Sequence, residues 1–341
     1  MYEAFFGLSK NPFSLTPDPH FLWMTEAHGN VQAGLVYAIR AGKGFAVLSG
    51  DAGAGKTTLL RSVINLIPAD KLFFSFITNP ALTPYDLYEA VLTDFGLPKG
   101  NSKPERLRTL QNFLLRANAA GKAVVLLVDE AHRLSVETLE EIRLMTNFET
   151  ENRKLLQIVL AGQEELGETL DLPEMRQLKQ RVEVRLEIGP LLPLEVPRYI
   201  RHRWNCVAAT EPPFSLDVMC LIGEISAGIP RLISSICDNS LLLAFAESSR
   251  SVKAEYVMEA CRDLHLTPPA PLRNPWVGGD VAGMRAPAGP KPHPAGTMEL
   301  NIPSPVSCDH HGGTSSLLKA AEPKKSSWWP RLLKGAKAET V

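Results

Sequence analysis

Eight consecutive residues, Gly50-Asp51-Ala52-Gly53-Ala54-Gly55-Lys56-Thr57, reproduce the spacing G-x-x-x-x-G-K-[ST], and Thr58 continues into TTLLRSVINLI. Glycines at this spacing let the backbone wrap a polyphosphate with its N–H groups turned inward, beside the positive end of the following helix. In such a loop Lys56 reaches the β- and γ-phosphates of a nucleotide, and the Thr57 hydroxyl ligates Mg²⁺. The motif has meaning only between a strand and a helix. FAVLS before it and TTLLRSVINLI after it carry those two patterns.

A second apolar run, AVVLLVDE, ends in Asp129 and Glu130. Adjacent carboxylates closing a buried strand are costly unless they serve a cation or a reaction. Asp129 is placed to hold Mg²⁺, directly or through water, and Glu130 to polarise an attacking water as general base. The pair points to hydrolysis rather than phosphoryl transfer to a metabolite.

Three further positions suit a sheet ATPase. Gln163 follows the run LLQIVLAG, where its amide either reaches the γ-phosphate or water, or simply opens a helix. Arg231, in Gly228-Ile229-Pro230-Arg231, sits at a helix start and opposes the dipole there, so it answers to an anion elsewhere or to a surface carboxylate. Arg176 and Arg181, in PEMRQLKQR, are candidates for an arginine finger or for solvated surface. His132 reads as a loop histidine, and the DHHGG cluster from Asp309 lacks a scaffold that would fix metal geometry.

The elements that must position these residues follow from periodicity. FAVLS, LFFSFIT, AVVLLV, LLQIVLAG and VEVRLEI are short and nearly continuous in apolar residues, the pattern of parallel strands buried on both faces. Helical segments lie between them, with start signals at Thr83-Pro84-Tyr85-Asp86 and Ser135-Val136-Glu137. Strands alternating with helices predict an α/β layered domain over residues 31–190. After Pro190 only helices are expected, over 195–209, 216–227, 230–248 and 254–264, forming a small helical module at 191–266. From Thr267 to Val341 proline, glycine, alanine and serine dominate, so a disordered tail is expected.

Bulk properties exclude several classes. The formal net charge of -1 gives no global footprint for nucleic acid or anionic membrane. Five cysteines are widely spaced without a CxxC pair, and the four in segments that read as helical are expected to be buried thiols in a reducing cytosol. No apolar run is long enough to span a bilayer. The opening residues MYEAFFGLSKNPFSLTPDPHFLW do not read as a secretory leader, because Glu3, Lys10 and the prolines interrupt them. Residues 1–30 therefore form a collar that stays with the protein.

The order of phosphate loop, DE strand end, polar residue after a later strand, arginine before the last strand and GxPR in a helical lid resembles AAA+ ATPases. More narrowly, the opening collar, GDAGAGKTTLL, LLVDEAHRLS, LLQIVLAGQEEL, LKQRVEVRLEIGPL and SAGIPRLI resemble the ExeA-like ATPases of general secretion pathways, from Met1 to about Leu266. The resemblance implies a P-loop αβα sandwich with a helical lid, binding ATP and Mg²⁺. It places Lys56 and Thr57 in Walker A, Asp129 and Glu130 in Walker B, Gln163 at sensor 1 and Arg231 at sensor 2, with Arg181 the favoured finger. It also sets the collar beside the adenine pocket, where Phe13, Phe21 and Trp23 either contact the base and pin the lid, or only seal the core edge. It implies a homo-oligomer in the cytoplasm that remodels a partner of a secretion or polysaccharide-export system. Related short ATPases assist transposition, which leaves DNA as the alternative partner. Longer relatives continue into a membrane span and a peptidoglycan-binding region. This chain instead carries KKSSWWPRLLKGAK near its end, whose tryptophans and lysines suit contact with a membrane surface or with a partner groove.

Overall fold

A computed structural model describes residues 1–16 and 18–266, without the Pro19 side chain. The expected tail, with Cys308, the DHHGG cluster and Trp328-Trp329, lies outside the described residues. In chain order the elements are α1 (Tyr2–Phe6), α2 (Glu26–Ala41), β1 (Phe45–Gly50), α3 (Lys56–Leu66), β2 (Leu72–Ile77), α4 (Pro84–Asp94), α5 (Lys103–Ala119) and β3 (Ala123–Val128). They continue with α6 (Val136–Met145), a small hairpin of β4 (Glu149–Thr150) and β5 (Arg153–Lys154), then β6 (Gln157–Ala161), α7 (Glu164–Asp171), α8 (Arg176–Lys179) and β7 (Val184–Ile188). Four helices follow: α9 (Val196–Asn205), α10 (Leu216–Ile225), α11 (Pro230–Ala246) and α12 (Ala254–Asp263).

Five strands form one parallel sheet in the order β2-β3-β6-β1-β7. The central strands β1, β3 and β6 are buried along almost their whole length, which is why their sequences run apolar without alternation. β7 at one edge alternates instead, exposing Arg185 and Glu187. Charges on an exposed edge discourage pairing with another chain. Leu48 stands opposite Ala161, and Val128 opposite Leu160. The carboxyl ends of β1, β3 and β6 therefore emerge together on one rim of the sheet.

Caps set the helix boundaries. Thr83 and Asp86 form a reciprocal capping box at the start of α4, and the Ser135 hydroxyl accepts the Thr138 N–H to open α6. One face of the sheet is covered by α4 to α8, through Leu87, Leu110, Leu139 and Leu166, and the other by α2 and α3, through Leu35, Leu59 and Val63.

A third core belongs to α9–α12, and the opening residues are part of it. Tyr2, Phe6, Leu8, Phe13 and Phe21 pack with Tyr199, Trp204, Phe214 and Ile236. Phe13 is fully buried, edge-on to Phe214 at 6.0 Å between ring centres. The Tyr2 hydroxyl donates to Asp238 on α11, and the Arg203 guanidinium donates to the carbonyls of Pro12 (2.6 Å) and Ser14 (3.0 Å). The two expectations for the collar aromatics are thus divided between residues. Phe13 seals the helical core, whereas Trp23 stays half-buried, 6.3 Å from the Tyr199 ring.

Two expectations change. The boundary drawn at residue 30 falls inside α2, which starts at Glu26 because the Thr25 side chain accepts the His28 N–H. The cysteines are not uniformly buried. Cys237 and Cys261 are, but Cys220 on α10 is exposed and Cys206, just past the end of α9, is partly so. Among the described residues no helix is long and apolar enough to cross a membrane.

Candidate active site

The phosphate loop joins β1 to α3 with Gly50, Gly53 and Gly55 all at positive φ. At Gly53 the requirement is also one of space. A Cβ there would stand 2.6 Å from the Cβ of Arg231 and 3.3 Å from Ile229 on the helical bundle. Gly50 approaches β7 as closely, since a Cβ would meet the Ile188 carbonyl at 2.2 Å. Only glycine permits both the dihedral and the approach.

Lys56 begins α3 and turns back into the loop, donating to the carbonyls of Gly50 (2.8 Å) and Asp51 (2.9 Å). Burial holds its ammonium below the ordinary lysine value, against the opposing pull of Glu130 and Asp129. The next residue, Thr57, donates its hydroxyl to Asp129 Oδ2 at 2.5 Å. Asp129 is itself buried at the end of β3, and its other oxygen accepts the Glu130 N–H at 3.0 Å. A hydroxyl and a carboxylate side by side are hard oxygen donors, the set that Mg²⁺ takes with phosphates and water.

Glu130 has φ +53°, a left-handed conformation uncommon for a side chain of its size. It caps the 3₁₀ turn Ala131–Arg133 and leaves its carboxylate partly open to solvent. A cleft of about 340 Å³ lies above these groups, between the sheet rim and the helical bundle. Gly53 to Thr58, Glu130 and Arg231 line it, together with Leu15, Phe21, Trp23, Tyr199 and Arg203. Gly50, Asp51 and Ala52, expected to join the phosphate cradle, are not among the lining residues.

The arginines and Gln163 differ in placement. Arg231 faces the cleft over Gly53 and forms no ion pair with a carboxylate among the described residues. Gln163 caps α7 but is not a cleft-wall residue; its side-chain amide lies 3.2 Å from His132 Nε2. Arg181 stands away from this cleft, donating to Thr146 Oγ1 (3.3 Å) and Asn147 Oδ1 (3.0 Å), and Arg176 is exposed.

Two residues that motif reading passed over stand out. His132 makes the Gln163 contact just described. His28 is buried where α2 starts, bonded to Thr25 Oγ1 at 2.7 Å and to the backbone of Ala54 in the phosphate loop. Burial pushes its imidazole below the ordinary histidine value. Only the sequence pattern T-x-x-H, a capping threonine followed by a first-turn histidine, hinted at it.

The family model described as an AAA domain matches residues 39–170. General secretion pathway protein A from Aeromonas hydrophila is 42% identical over 254 residues, which are 74% of this chain and 46% of that protein. The chain therefore spans about half the length of this curated relative. Among solved structures, Cdc6p from Pyrobaculum aerophilum superposes with a TM-score of 0.61 at 18% identity, covering 75% of this chain and 71% of that one. The ORC2 protein from Aeropyrum pernix gives 0.59 at 14% identity, over 75% and 72%. At such identities these two speak for the shared fold. The phosphate loop, the carboxylate pair and the parallel sheet that carries them, together with the 42% identity, make this chain a member of the ExeA-like family of AAA ATPases.

Proposed function

We propose that the chain binds and hydrolyses ATP with Mg²⁺, and uses the cycle to remodel or assemble a protein partner in a secretion or envelope-export system. The observation that carries the reading is one cleft lined by Gly53 to Thr58 of the phosphate loop, Glu130 and Arg231, with Asp129 bonded to Thr57 beneath it.

In this reading the loop N–H groups and Lys56 hold the β- and γ-phosphates. Lys56 exchanges its two carbonyl partners for phosphate oxygens, which favours its charged form. Thr57 and Asp129 hold Mg²⁺, which when bound neutralises charge building on the phosphate oxygens. Glu130 accepts the proton of the attacking water, and Arg231 meets the γ-phosphate from the helical bundle. Because Arg231 is carried by α11, loss of the γ-phosphate releases one contact between the bundle and the loop. That converts hydrolysis into relative motion. Arg181 would serve a neighbouring subunit's γ-phosphate in a homo-oligomer, consistent with its distance from its own cleft.

The partner is supported by the name of the secretion-pathway relative. Phosphate release is the test. The full chain should hydrolyse ATP with Mg²⁺; Lys56→Ala should lose nucleotide binding, while Glu130→Gln should bind ATP and not turn it over. Wild-type turnover by Glu130→Gln would refute the assigned base. Stimulation by DNA, rather than by membranes carrying a secretion partner, would favour a DNA-associated helper instead.

A further inference from the structure

We propose that His132 is a positioning residue that ties the Gln163 amide at the end of β6 to the Glu130 carboxylate at the end of β3. The inference rests on the ATPase reading above. It concerns how the base is held.

Neighbouring strands deliver the two groups. β3 and β6 pair in register up to Val128 opposite Leu160, so Glu130 and Gln163 leave the sheet side by side. The left-handed turn at Glu130 reverses the chain, and the following 3₁₀ turn carries His132 back over β6. Gly162 makes room for it. A Cβ there would stand 3.1 Å from the His132 backbone nitrogen and 2.9 Å from Leu166.

The imidazole then has three partners. The Gln163 backbone N–H donates to Nδ1 at 3.4 Å, the Gln163 amide lies 3.2 Å from Nε2, and Glu130 Oε2 lies 3.7 Å from the same nitrogen. With Nδ1 accepting, the neutral ring carries its proton on Nε2. The Gln163 amide accepts that proton when its oxygen rather than its nitrogen faces the ring, and the Glu130 carboxylate, at 3.7 Å, lies just beyond hydrogen-bond distance. The ring is only 14% exposed, whereas the Glu130 side chain is 40% exposed. A mostly buried ring thus stands beside the more exposed carboxylate, close enough for a small rotation of Glu130 to complete the contact. A rearrangement of Gln163 changes what Nε2 offers to Glu130, so the state of β6 is passed to the base.

A double-mutant cycle on the full chain tests this. His132→Ala and Gln163→Ala should each lower kcat by about 10- to 100-fold, the loss typical when an outer partner of a reacting group is removed, with ATP affinity and melting temperature nearly unchanged. The double variant should be no slower than the worse single one, because both act through one contact. His132→Gln, which keeps an N–H donor, should recover part of the rate. The proposal is overturned if His132→Ala keeps kcat within about twofold of wild type, or if the two losses multiply. An affinity loss in place of a kcat loss would equally overturn it. A wild-type chain with no ATPase under any condition would instead refute the reading on which it rests, and this coupling with it.

Discussion

Arg203 holds the collar to the helical bundle, and its removal has a calculable cost. Its side chain is buried on α9, with no carboxylate at ion-pairing distance among the described residues. The guanidinium donates to the Pro12 and Ser14 carbonyls, to the Tyr199 hydroxyl at 2.8 Å and to Ser234 Oγ at 3.1 Å. It also lies 4.8 Å from the centre of the Phe21 ring. In Arg203→Met the aliphatic stem is kept and the fork is lost. Tyr199 and Ser234 still bond each other at 3.2 Å, so only the two collar carbonyls are orphaned. Each orphaned group costs about 1–3 kcal/mol, partly offset because a buried cation no longer needs desolvation. A net loss of about 3–4 kcal/mol follows, or about 6–15 °C in melting temperature for a domain of this size. Scanning calorimetry reads the shift, and limited proteolysis reads the collar directly, with new cleavage expected between Pro12 and Thr25. Arg203→Lys should fall between, since an ammonium cannot span both carbonyls. Nucleotide affinity should drop too, because Ser14, Leu15 and Thr16 line the cleft. A melting temperature within about 2 °C of wild type, with the collar uncut, would refute the clamp.

Gly53→Ala should weaken nucleotide binding by tenfold or more, about 1.4 kcal/mol, because its methyl collides with Arg231, whereas Gly55→Ala, with nothing within 4 Å, pays only for backbone strain; titration calorimetry separates them. The depressed His28 value means that the unfolded chain takes up a proton first as pH falls below 6.5, so stability should decline from there towards the folded-state value. His202 is depressed by burial in the same sense, so His28→Gln should flatten the melting-temperature profile over this range only in part. Arg181→Ala should leave stability nearly unchanged, since the Thr146 hydroxyl keeps its bond to the Arg143 carbonyl and Asn147 is exposed, yet lower turnover by about 10²- to 10⁵-fold. Mixing it with Glu130→Gln subunits should restore activity; full activity of Arg181→Ala alone, with Arg176→Ala as control, would discard the trans-acting finger.

Most of the sheet was legible because its central strands are buried on both faces and so read as unbroken apolar runs between clear helix caps. FAVLS, AVVLLV and LLQIVLAG are each observed as strands, and the DE pair stands at a strand end as its cost in a buried place implied. What could not be read is whatever depends on long-range contact. Nothing local in LVDEAHRLS says that His132 reaches Gln163, because that contact needs the strand order and the glycine at 162. Periodicity also could not say which core the opening aromatics join. Phe13 and Phe21 announce burial, but their partners lie roughly two hundred residues away. The cysteines erred for a simpler reason: apolar character predicts an average preference, not which side of α10 Cys220 occupies.

The shared core of the collar and α9–α12 has a consequence during synthesis. Tyr2, Phe6, Phe13 and Phe21 leave the ribosome long before Tyr199, Phe214 and Cys261, the residues that bury them. At about 5–20 residues per second, that separation leaves the collar unpartnered for roughly 10–50 s. The sheet, whose strands span only residues 45–188, can close in that interval while an aromatic, proline-rich thread hangs free beside it. Each nascent chain thus passes through a stage in which a formed nucleotide loop coexists with an unsatisfied apolar segment, the stage at which chaperones and misassembly compete for it.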